Sequence, residues 1–449
     1  MRRADWSPRG ESRSVRGVAW SIRRAPVDRY GSGLSPDVLR APALDRDEVV
    51  RWVERHLAPV LRGPVVASPL IGGQGAADSA LARLDISGYA HRRNEVYPRE
   101  RRGASGLSPY IRHGLLSLPR VWREVDGPPQ DRAKFRDELL WQEYARHLYA
   151  RLGAATRHSL RFAVAEYSDQ DGPGRWGAEG LCVDESLREL RETGWITNQQ
   201  RMWLASHWTV REGHGWRVGE DDFFRSLLDG SRAANRLGWQ WTVGALTGKP
   251  YGFSRWQVTN RAPGLCDRCH LRANCPIEEW PEAGEPEPRT VIDPLMRRDP
   301  DPELTGGPRD AQVTAEPELV WLTAESLGDG DPALAAHPNV PAVFVFDRAL
   351  LTHLRVSASR LVFLTECLAD LAERRDLRVY LDEPRDVLEG RRIACTFTPV
   401  PGWRARSARM DIVALHPWPW LRMVGAGPLT SFSAWQTSSR GSGRGRSRR

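Results

Sequence analysis

The sequence has no long uninterrupted apolar stretch. A membrane-spanning helix needs a run of about 18 apolar residues, and the 449-residue chain contains none of that length. We therefore expect no membrane partner. The basic start, MRRADWSPRGESRSVRG, also lacks the apolar run of a signal peptide, which predicts a cytoplasmic protein.

Lysine is nearly absent, since only Lys134 and Lys249 contribute to the 65 Lys and Arg residues. A GC-rich genome that favours arginine codons can produce this bias by itself. The net charge of +8 and the isoelectric point near 9.4 nevertheless favour a polyanionic partner, with nucleic acid first among the candidates.

Cysteine is scarce as well, with six residues in the chain. Thiols stay reduced in the cytoplasm, so these six are expected to be metal ligands or buried side chains rather than disulfides. Cys266, Cys269 and Cys275 form a C-x2-C-x5-C pattern followed by Pro276, in which three thiolates can converge on one ion or cluster. A fourth ligand must come from elsewhere, and Cys182 is the natural candidate.

Several interpretations of this pattern compete. A 4Fe-4S cluster needs four thiolates and often has proline after the last one. Zinc accepts the same tetrahedron, with His270 as a possible ligand. The run from Cys266 to His270 also matches a haem c attachment pattern, and the absence of any metal is the fourth possibility. Cys367 and Cys395 resemble buried structural thiols.

Periodicity and composition divide the chain into five segments. Residues 1–45 lack periodicity and are predicted to be a disordered basic arm, whereas 46–282 show helical periodicity almost throughout. Residues 283–315 have the composition of a Pro-rich linker. Apolar runs alternate with helices over 316–435, which predicts a parallel sheet, and 436–449 are predicted to be a disordered basic tail. The fold class is therefore mainly α, with an all-helical domain followed by a smaller, Rossmann-like α/β domain.

We expect the chemistry in the stretch from Gly194 to Trp241, where six tryptophans lie among polar side chains. Tryptophans in a helical domain most often pack in the core. A small polar loop at 103–108 leads into a helix, and it either binds an anion such as phosphate or only caps that helix. Asp45 and Asp184 are placed to cap the helices that follow them.

Five runs in the helical half resemble the flavin-binding domain of the photolyase/cryptochrome family, in order and spacing, over roughly residues 76–245. They are RRGASGLSPYIRHGLLS, DELLWQEY, LRELRETGWITNQQRM, GWRVGEDDFFRSLLDG and AANRLGWQW. The cysteine pattern resembles the iron-sulfur bacterial branch of that family. The family normally places its α/β domain first, so the reverse order here is interpreted as a circular permutation.

The resemblance implies a bound FAD and a pocket for a flipped-out base of UV-damaged DNA. It assigns the lesion pocket to Glu138, Trp141, Asn198, Met202 and Trp241. It assigns FAD binding to Tyr89, Ser105, Leu107, Ser108, Arg201, Asp229 and Asn235. Trp239 and Trp216 match the two flavin-proximal members of an electron-transfer chain, whose distal member has no evident match. The iron-sulfur branch implies a 4Fe-4S cluster on Cys182, Cys266, Cys269 and Cys275.

The implied function is light-driven repair of pyrimidine dimers by a deoxyribodipyrimidine photo-lyase, which is a carbon-carbon lyase. Gln142 and Gln199 stand where the family has arginine, Ser231 where it has aspartate, and Ala104 where it has threonine. A cryptochrome-like photoreceptor without repair activity is the alternative, and a noncatalytic iron-sulfur DNA-binding protein with an empty flavin site is the third hypothesis. The sequence identifies no antenna chromophore and no obligate protein partner.

Overall fold

The computed structural model describes residues 38–61, 63–164, 176, 180–279 and 289–441. Most of the predicted arm, the end of the tail and the start of the predicted linker therefore lie outside the described residues. Within the unit from Pro36 to Arg449, a helical part comes first and a sheet part follows. This order agrees with the sequence pattern, while the circular permutation itself stays a prediction.

The helical part contains α1 (Arg46–His56), α2 (Gln74–Ala82), α3 (Tyr89–Arg92), α4 (Ser108–Arg112), α5 (Leu118–Glu124), α6 (Pro129–Leu152), α7 (Leu181–Thr193), α8 (Asn198–Ser206), α9 (Trp216–Ser226), α10 (Ala234–Thr242) and α11 (Arg255–Arg261). Asp45 caps α1 as predicted, since its Oδ1 accepts the Glu48 backbone N–H at 2.9 Å. The predicted Asp184 cap is wrong, because α7 already begins at Leu181. None of the described helices is long and apolar enough to cross a membrane.

The sheet part contains the strands β1 (Gln312–Val313), β2 (Leu319–Leu322), β3 (Ala342–Asp347), β4 (Leu377–Asp382), β5 (Ile393–Thr396) and β6 (Ile412–His416). Their spatial order is β1-β6-β5-β2-β3-β4, and every neighbouring pair is parallel except β1 with β6. The chain runs outward from β2 to β4 and then returns to β5 on the other side of β2. Such a reversal leaves a crevice at the carboxyl ends of the strands, where α/β proteins bind ligands.

Eight further helices accompany the sheet in the described residues. They are α12 (Pro294–Arg297), α13 (Pro302–Gly306), α14 (Pro332–Ala336), α15 (Arg348–Leu354), α16 (Ala358–Ala372), α17 (Pro384–Leu388), α18 (Pro401–Ser407) and α19 (Phe432–Gly441). The predicted fold class, a helical domain with a smaller parallel α/β domain, is confirmed.

Helix α1 packs on the sheet part, although it precedes the helical domain in sequence. Val49 and Val53 of α1 join the apolar cluster that contains Phe363 of α16. Leu39 forms an antiparallel bridge with Val379 of β4. The predicted helical segment 46–282 therefore begins with a helix that packs on the sheet part rather than on the other helices. An amphipathic pattern predicts that one face of a helix is buried, but it does not predict which part of the protein buries that face.

The predicted linker and tail also differ from the structure where it describes them. Met296 of α12 is fully buried, and Asp299 accepts a hydrogen bond from Arg151 Nε at 3.0 Å, so this part of the predicted linker is packed. Proline suits the first turn of a helix as well as a linker, which explains why composition misplaced the boundary. Helix α19 likewise continues to Gly441, inside the segment predicted to be disordered.

Candidate functional site

A cavity of about 1090 Å³ lies between the helical part and the carboxyl ends of β2, β3 and β5. Ligand pockets usually measure about 300 to 1,000 Å³, so this cavity has room for a large cofactor. Most of the predicted site residues line it, although they come from distant parts of the sequence. These are Tyr89, Ser105, Ser108, Glu138, Trp141, Asn198, Arg201, Met202, Asp229, Asn235 and Trp241. Leu107, Trp216 and Trp239 are instead buried in the surrounding core.

The buried side of the cavity, lined by Arg201, Asp229 and Asn235 and supported from behind by Glu220, is called the polar end. Arg201 Nη2 lies 2.8 Å from Asp229 Oδ2, and Arg201 Nε donates to the Ile196 carbonyl at 3.1 Å. The other carboxylate oxygen, Asp229 Oδ1, is buried and receives no hydrogen bond from any described residue. A buried acceptor without a donor costs free energy, so this oxygen is available to an N–H group of a ligand.

Asn235 is held by Glu220, a residue that no sequence motif predicted at the site. Asn235 Nδ2 donates to the Glu220 carbonyl at 3.0 Å and to Glu220 Oε1 at 3.2 Å. Because the amide nitrogen is engaged, the amide oxygen remains as an acceptor for a ligand. Glu220 is itself buried and lies 2.7 Å from Arg232 and 3.2 Å from Arg236. Burial raises the pKa of Glu220, and the two guanidinium groups oppose that rise.

Positive charge dominates the cavity lining. The arginines that line it are Arg93, Arg112, Arg146, Arg157, Arg201, Arg232, Arg236, Arg360 and Arg406, and the carboxylates are Glu138, Asp229, Glu325 and Asp347. Ser108 Oγ accepts a hydrogen bond from Trp195 Nε1 at 3.0 Å, which leaves the hydroxyl proton to donate to an anion. The cavity therefore suits a ligand that carries phosphate groups.

The more exposed side, formed by Glu138, Trp141, Asn198, Met202 and Trp241, is called the outer end. The Glu138 side chain is 37% exposed, and its Oε1 lies 3.1 Å from Arg93 Nε and 2.9 Å from Lys134 Nζ. Asn198 is exposed, and its Nδ2 lies 3.4 Å from the Met202 sulfur. These polar groups are accessible to a ligand that enters from solvent.

Trp141 is supported by an aromatic residue from the far end of the chain. Its ring stacks on Phe432 of α19, with 4.0 Å between centroids and 8° between planes. Phe432 does not line the cavity, so it contacts the indole from outside the site. No local sequence pattern pairs α19 with α6, so Phe432 was not predicted to support the site. On the other side of the outer end, the Trp241 ring lies 5.2 Å from that of Tyr251.

The four predicted metal ligands, Cys182, Cys266, Cys269 and Cys275, line one small cavity beside α7 and α11. The Leu181 backbone N–H donates to Cys269 Sγ at 3.4 Å. Burial, together with the nearby Cys266 and Cys275, raises the pKa of the Cys182 thiol to about 12. Among the described residues, no three His, Cys, Asp or Glu side chains are grouped so as to hold a metal ion.

Residues 135–260 match the family model described as the FAD binding domain of DNA photolyase. This part of the chain is therefore similar to the FAD binding domain of DNA photolyase. A deoxyribodipyrimidine photo-lyase of Vibrio cholerae is 32% identical over 195 residues, which cover 39% of this chain and 42% of that protein. One of Thermus thermophilus is 32% identical over 229 residues, with coverages of 49% and 52%. The chain thus spans about half, or less, of the length of these relatives.

The solved structure of a class III photolyase from Agrobacterium tumefaciens is also similar, with a TM-score of 0.35 and 24% identity over 42% of each chain. Residues 135–260 are called the photolyase-type domain. The three residues in it that differ from the pattern expected from the resemblance, Gln142, Gln199 and Ser231, lie in different environments. Gln199 is buried and donates to the Tyr251 hydroxyl at 2.9 Å, whereas Gln142 and Ser231 line the cavity. The last two contribute uncharged polar side chains to the cavity wall.

Arg360 reaches the photolyase-type domain from helix α16 of the sheet part. Its Nη2 donates to the Gly230 carbonyl at 2.7 Å, next to Ser231, and its Nη1 donates to the Phe224 carbonyl. Burial lowers the pKa of Arg360 to about 9. The positively charged Arg360 of the sheet part thus lies beside the neutral Ser231. No local sequence pattern predicts this arrangement.

Proposed function

We propose that this chain is a light-driven, FAD-dependent DNA photolyase, which repairs pyrimidine dimers by electron transfer from reduced flavin to a flipped-out lesion. The observation that carries the proposal is that one cavity joins the polar end to the outer end, beside a segment similar to the FAD binding domain of DNA photolyase. Such a reaction needs a buried cofactor site directly beside a site that is open to an extruded base.

The polar end has the groups that a flavin requires. The free oxygens of Asp229 and Asn235 suit the N–H groups of an isoalloxazine ring, and the Ser105 and Ser108 hydroxyls with the lining arginines suit a diphosphate. When bound, FAD supplies the light absorption and the electron. The chain's own residues hold the ring, fix its orientation and keep water from it.

The outer end has the groups that an extruded pyrimidine pair requires. The faces of Trp141 and Trp241 offer stacking platforms, and stacking contributes about 1 to 3 kcal/mol per base. Glu138 and Asn198 offer hydrogen bonds to the pyrimidine carbonyl and imide groups, where negative charge develops during repair. Both polar residues are accessible from solvent, as entry of DNA demands.

Repair of a thymine-dimer oligonucleotide tests the proposal. Protein carrying FAD is reduced chemically in the dark, mixed with the damaged oligonucleotide and exposed to blue light, and dimers are counted by chromatography. We expect dimers to disappear in the light and to persist in a dark control. Protein that carries reduced FAD and leaves the dimers intact under light contradicts the proposal.

A cryptochrome-like photoreceptor without repair activity is the second candidate. The observation that favours it is the neutral Gln142 and Ser231 in the cavity wall, together with the buried Gln199, where photolyases carry charged residues. This candidate requires light-induced reduction of the flavin and a change of conformation, with no repaired product. The same irradiation experiment therefore separates the two candidates.

We further propose that Cys182, Cys266, Cys269 and Cys275 bind a 4Fe-4S cluster. A zinc ion would need its four ligands gathered around a single atom. A cluster of several atoms needs its thiolates farther apart, around a shared space, and the four thiols do line one cavity. The Leu181 N–H that points to Cys269 Sγ is the kind of hydrogen bond that tunes such clusters.

Iron and sulfide content, together with the absorbance spectrum, test the cluster. We expect about four iron and four sulfide per chain, and loss of both in Cys269→Ser, with Cys395→Ser as a control for a buried thiol elsewhere. Zinc without sulfide contradicts the proposal. A spectrum with a cluster band but no flavin peaks instead supports the third hypothesis, a noncatalytic iron-sulfur DNA-binding protein.

A further inference from the structure

Four hydrogen-bonded side chains lie at the outer end of the cavity, and we call Gln199, Trp203, Tyr251 and Gln257 the amide network. Gln199 and Trp203 are four residues apart on α8, so they share one face of that helix. The Tyr251 hydroxyl lies 2.9 Å from Gln199 Nε2 and 2.7 Å from Gln257 Oε1. Trp203 Nε1 lies 3.0 Å from the same Gln257 oxygen. The network therefore links α8 to α11.

The direction of each hydrogen bond in the network follows from the indole of Trp203, because an indole N–H can only donate. The atom of Gln257 that accepts from Trp203 must be the amide oxygen. The Tyr251 hydroxyl contacts this same oxygen, so it must donate to it as well. Its own oxygen is then left to accept, and Gln199 must present its amide NH2 group. A tryptophan in the core thus sets the amide orientation of Gln199.

Tyr251, the centre of the network, is fixed before any ligand arrives. Its backbone N–H donates to the Thr242 carbonyl at 2.6 Å, and Ser206 Oγ donates to its carbonyl at 2.7 Å. Burial raises the pKa of Tyr251, so the hydroxyl keeps the proton that it donates. Trp203 is 1% exposed, and its ring stacks on Phe253 with 5.8 Å between centroids. The network is therefore rigid at both its centre and its origin.

Gln199 is the member of the network that reaches the cavity. It is 4% exposed and lines the cavity, whereas Tyr251, which holds its nitrogen, does not line it. None of the described residues donates a hydrogen bond to Gln199 Oε1. Because the nitrogen is held behind the cavity wall, the amide oxygen is the atom left for a ligand. An acceptor that is fixed and shielded from bulk water selects a ligand with a donor at that point.

The neighbouring amide, Asn198, has no such preset orientation. It is exposed, and its Nδ2 lies 3.4 Å from the sulfur of Met202, which is a weak acceptor. The Asn198 amide can therefore turn and either donate to a ligand or accept from it. Of the two adjacent amides on α8, only that of Gln199 can discriminate between a donor and an acceptor.

We propose that Gln199 is a specificity-determining residue of the outer end, whose fixed amide oxygen accepts the imide N–H of one pyrimidine in the extruded pair. This inference rests on the proposed function, in which a pyrimidine pair enters the outer end. Extruded bases are read through their Watson–Crick edge, where thymine carries a donor at N3 and cytosine an acceptor. A thymine pair has two imide N–H groups, so it can use an acceptor in addition to Glu138. The outer end therefore favours dimers of thymine over dimers that lack an imide N–H.

Binding of two oligonucleotides in the dark tests the proposal. One carries a thymine dimer, the other carries the same dimer methylated at both imide nitrogens, and fluorescence anisotropy measures binding to the full chain carrying FAD. We expect the wild type to prefer the unmethylated dimer, and Gln199→Met to reduce that preference about fivefold. Comparison between the two proteins cancels any steric effect of the methyl groups that does not involve Gln199. An equal preference in Gln199→Met and wild type overturns the proposal.

Two variants of the network separate orientation from folding. Tyr251→Phe removes the hydroxyl that holds the Gln199 nitrogen, so the amide can turn and the preference should fall. Gln257→Glu keeps an acceptor oxygen for Trp203 and Tyr251, so it should retain the preference. Tyr380→Phe, on β4 of the sheet part, is the matched control for the loss of a tyrosine hydroxyl. A wild-type preference in Tyr251→Phe, at equal FAD content, overturns the role of the network.

This proposal and the proposed function fail in distinguishable ways. If chemically reduced wild type repairs thymine dimers in the light but Gln199→Met keeps the full preference, only the role of Gln199 is overturned. If the wild type binds damaged and undamaged oligonucleotides equally, both are overturned. If it shows the expected preference but leaves the dimers intact under blue light, the repair function is overturned and recognition of the imide by Gln199 is supported.

Discussion

The side chains at the two ends of the cavity are held in place in different ways. At the polar end, Asp229 and Glu220 are buried and paired with arginines, so their positions are fixed before a ligand arrives. At the outer end, Glu138 is partly exposed and held by ion pairs of a kind that contributes about 0 to 1 kcal/mol each. The cavity is thus preorganised where a resident cofactor would bind and adaptable where a substrate would enter and leave.

Removal of one carboxylate from the polar end should have the largest effect. Asp229→Ala leaves Arg201 without its partner in a mostly buried site, which costs about 3 kcal/mol of unfolding free energy. It also removes the free acceptor Oδ1, so we expect the variant to lose most of its FAD. Flavin absorbance per chain after desalting and a denaturant titration measure the two effects.

An exposed ion pair supplies the control for that experiment. Asp126 pairs with Arg132 at 2.8 Å, but its side chain is 87% exposed. Asp126→Ala should leave stability almost unchanged and FAD binding intact. Equal flavin content in Asp229→Ala and wild type would show that the polar end is not organised for a flavin.

Helix α6 carries both kinds of carboxylate. Glu138 is partly exposed, whereas Glu143 is fully buried. Glu143 Oε1 accepts the backbone N–H groups of Leu421 and Arg422 at 2.6 and 3.0 Å, and burial raises its pKa from 4.5 to about 7. Between these two values the folded protein retains a proton that the unfolded chain has lost. Raising the pH through this window therefore favours unfolding.

Glu143→Gln should remove this pH dependence. The amide oxygen can accept the same two backbone N–H groups but never ionises. From pH 5 to pH 8, we expect the wild type to lose about 1 to 3 kcal/mol of unfolding free energy relative to the variant. Denaturant titrations of both proteins across that range measure the difference. Parallel pH profiles would mean that Glu143 does not titrate in the folded protein.

Loss of the Phe432 ring tests whether the outer end depends on support from the sheet part. Phe432→Ala removes the stack on Trp141, and an aromatic pair is worth about 0.5 to 1.5 kcal/mol beyond the apolar area that it buries. We expect weaker binding of a dimer-containing oligonucleotide with unchanged FAD content, while Phe432→Tyr should retain both. Binding is measured by fluorescence anisotropy in the dark. Loss of FAD with intact DNA binding would reverse the assignment of the two ends.

The sequence was a good guide to which elements exist but a poor guide to which side chains meet. Apolar runs such as LVWL and AVFVFD predicted buried strands because their composition alone demands burial. Gly180, with φ of 121°, starts α7 before Asp184, and a preference for Asp at helix starts cannot reveal that. A local pattern carries no information on partners that only the fold brings together.

Site residues show the same limit. Glu220 lies on a helix where a carboxylate is usually solvated, so nothing in the sequence indicated that it holds Asn235. Phe432 contacts Trp141 although all six strands of the sheet lie between these two residues in the sequence. The residues that the family resemblance assigned to the lesion pocket and to FAD binding line one cavity, except Leu107, whereas no sequence pattern predicted the side chains that support them.

The smallest effect on stability is expected from a substitution of Glu138, at the outer end of the cavity. Glu138→Gln keeps the size of the side chain but removes the charge that pairs with Arg93 and Lys134. Because the pairs are partly exposed, stability should change by less than about 0.5 kcal/mol, and FAD content should not change. Repair should still slow about fivefold, which corresponds to about 1 kcal/mol of lost transition-state stabilisation.

Asp137→Asn is the matched control, since Asp137 also pairs with Lys134, at 3.0 Å, but does not line the cavity. If Asp137→Asn slows repair as much as Glu138→Gln, the effect comes from the charge of Lys134 rather than from contact with the lesion, and Glu138 loses its assigned role.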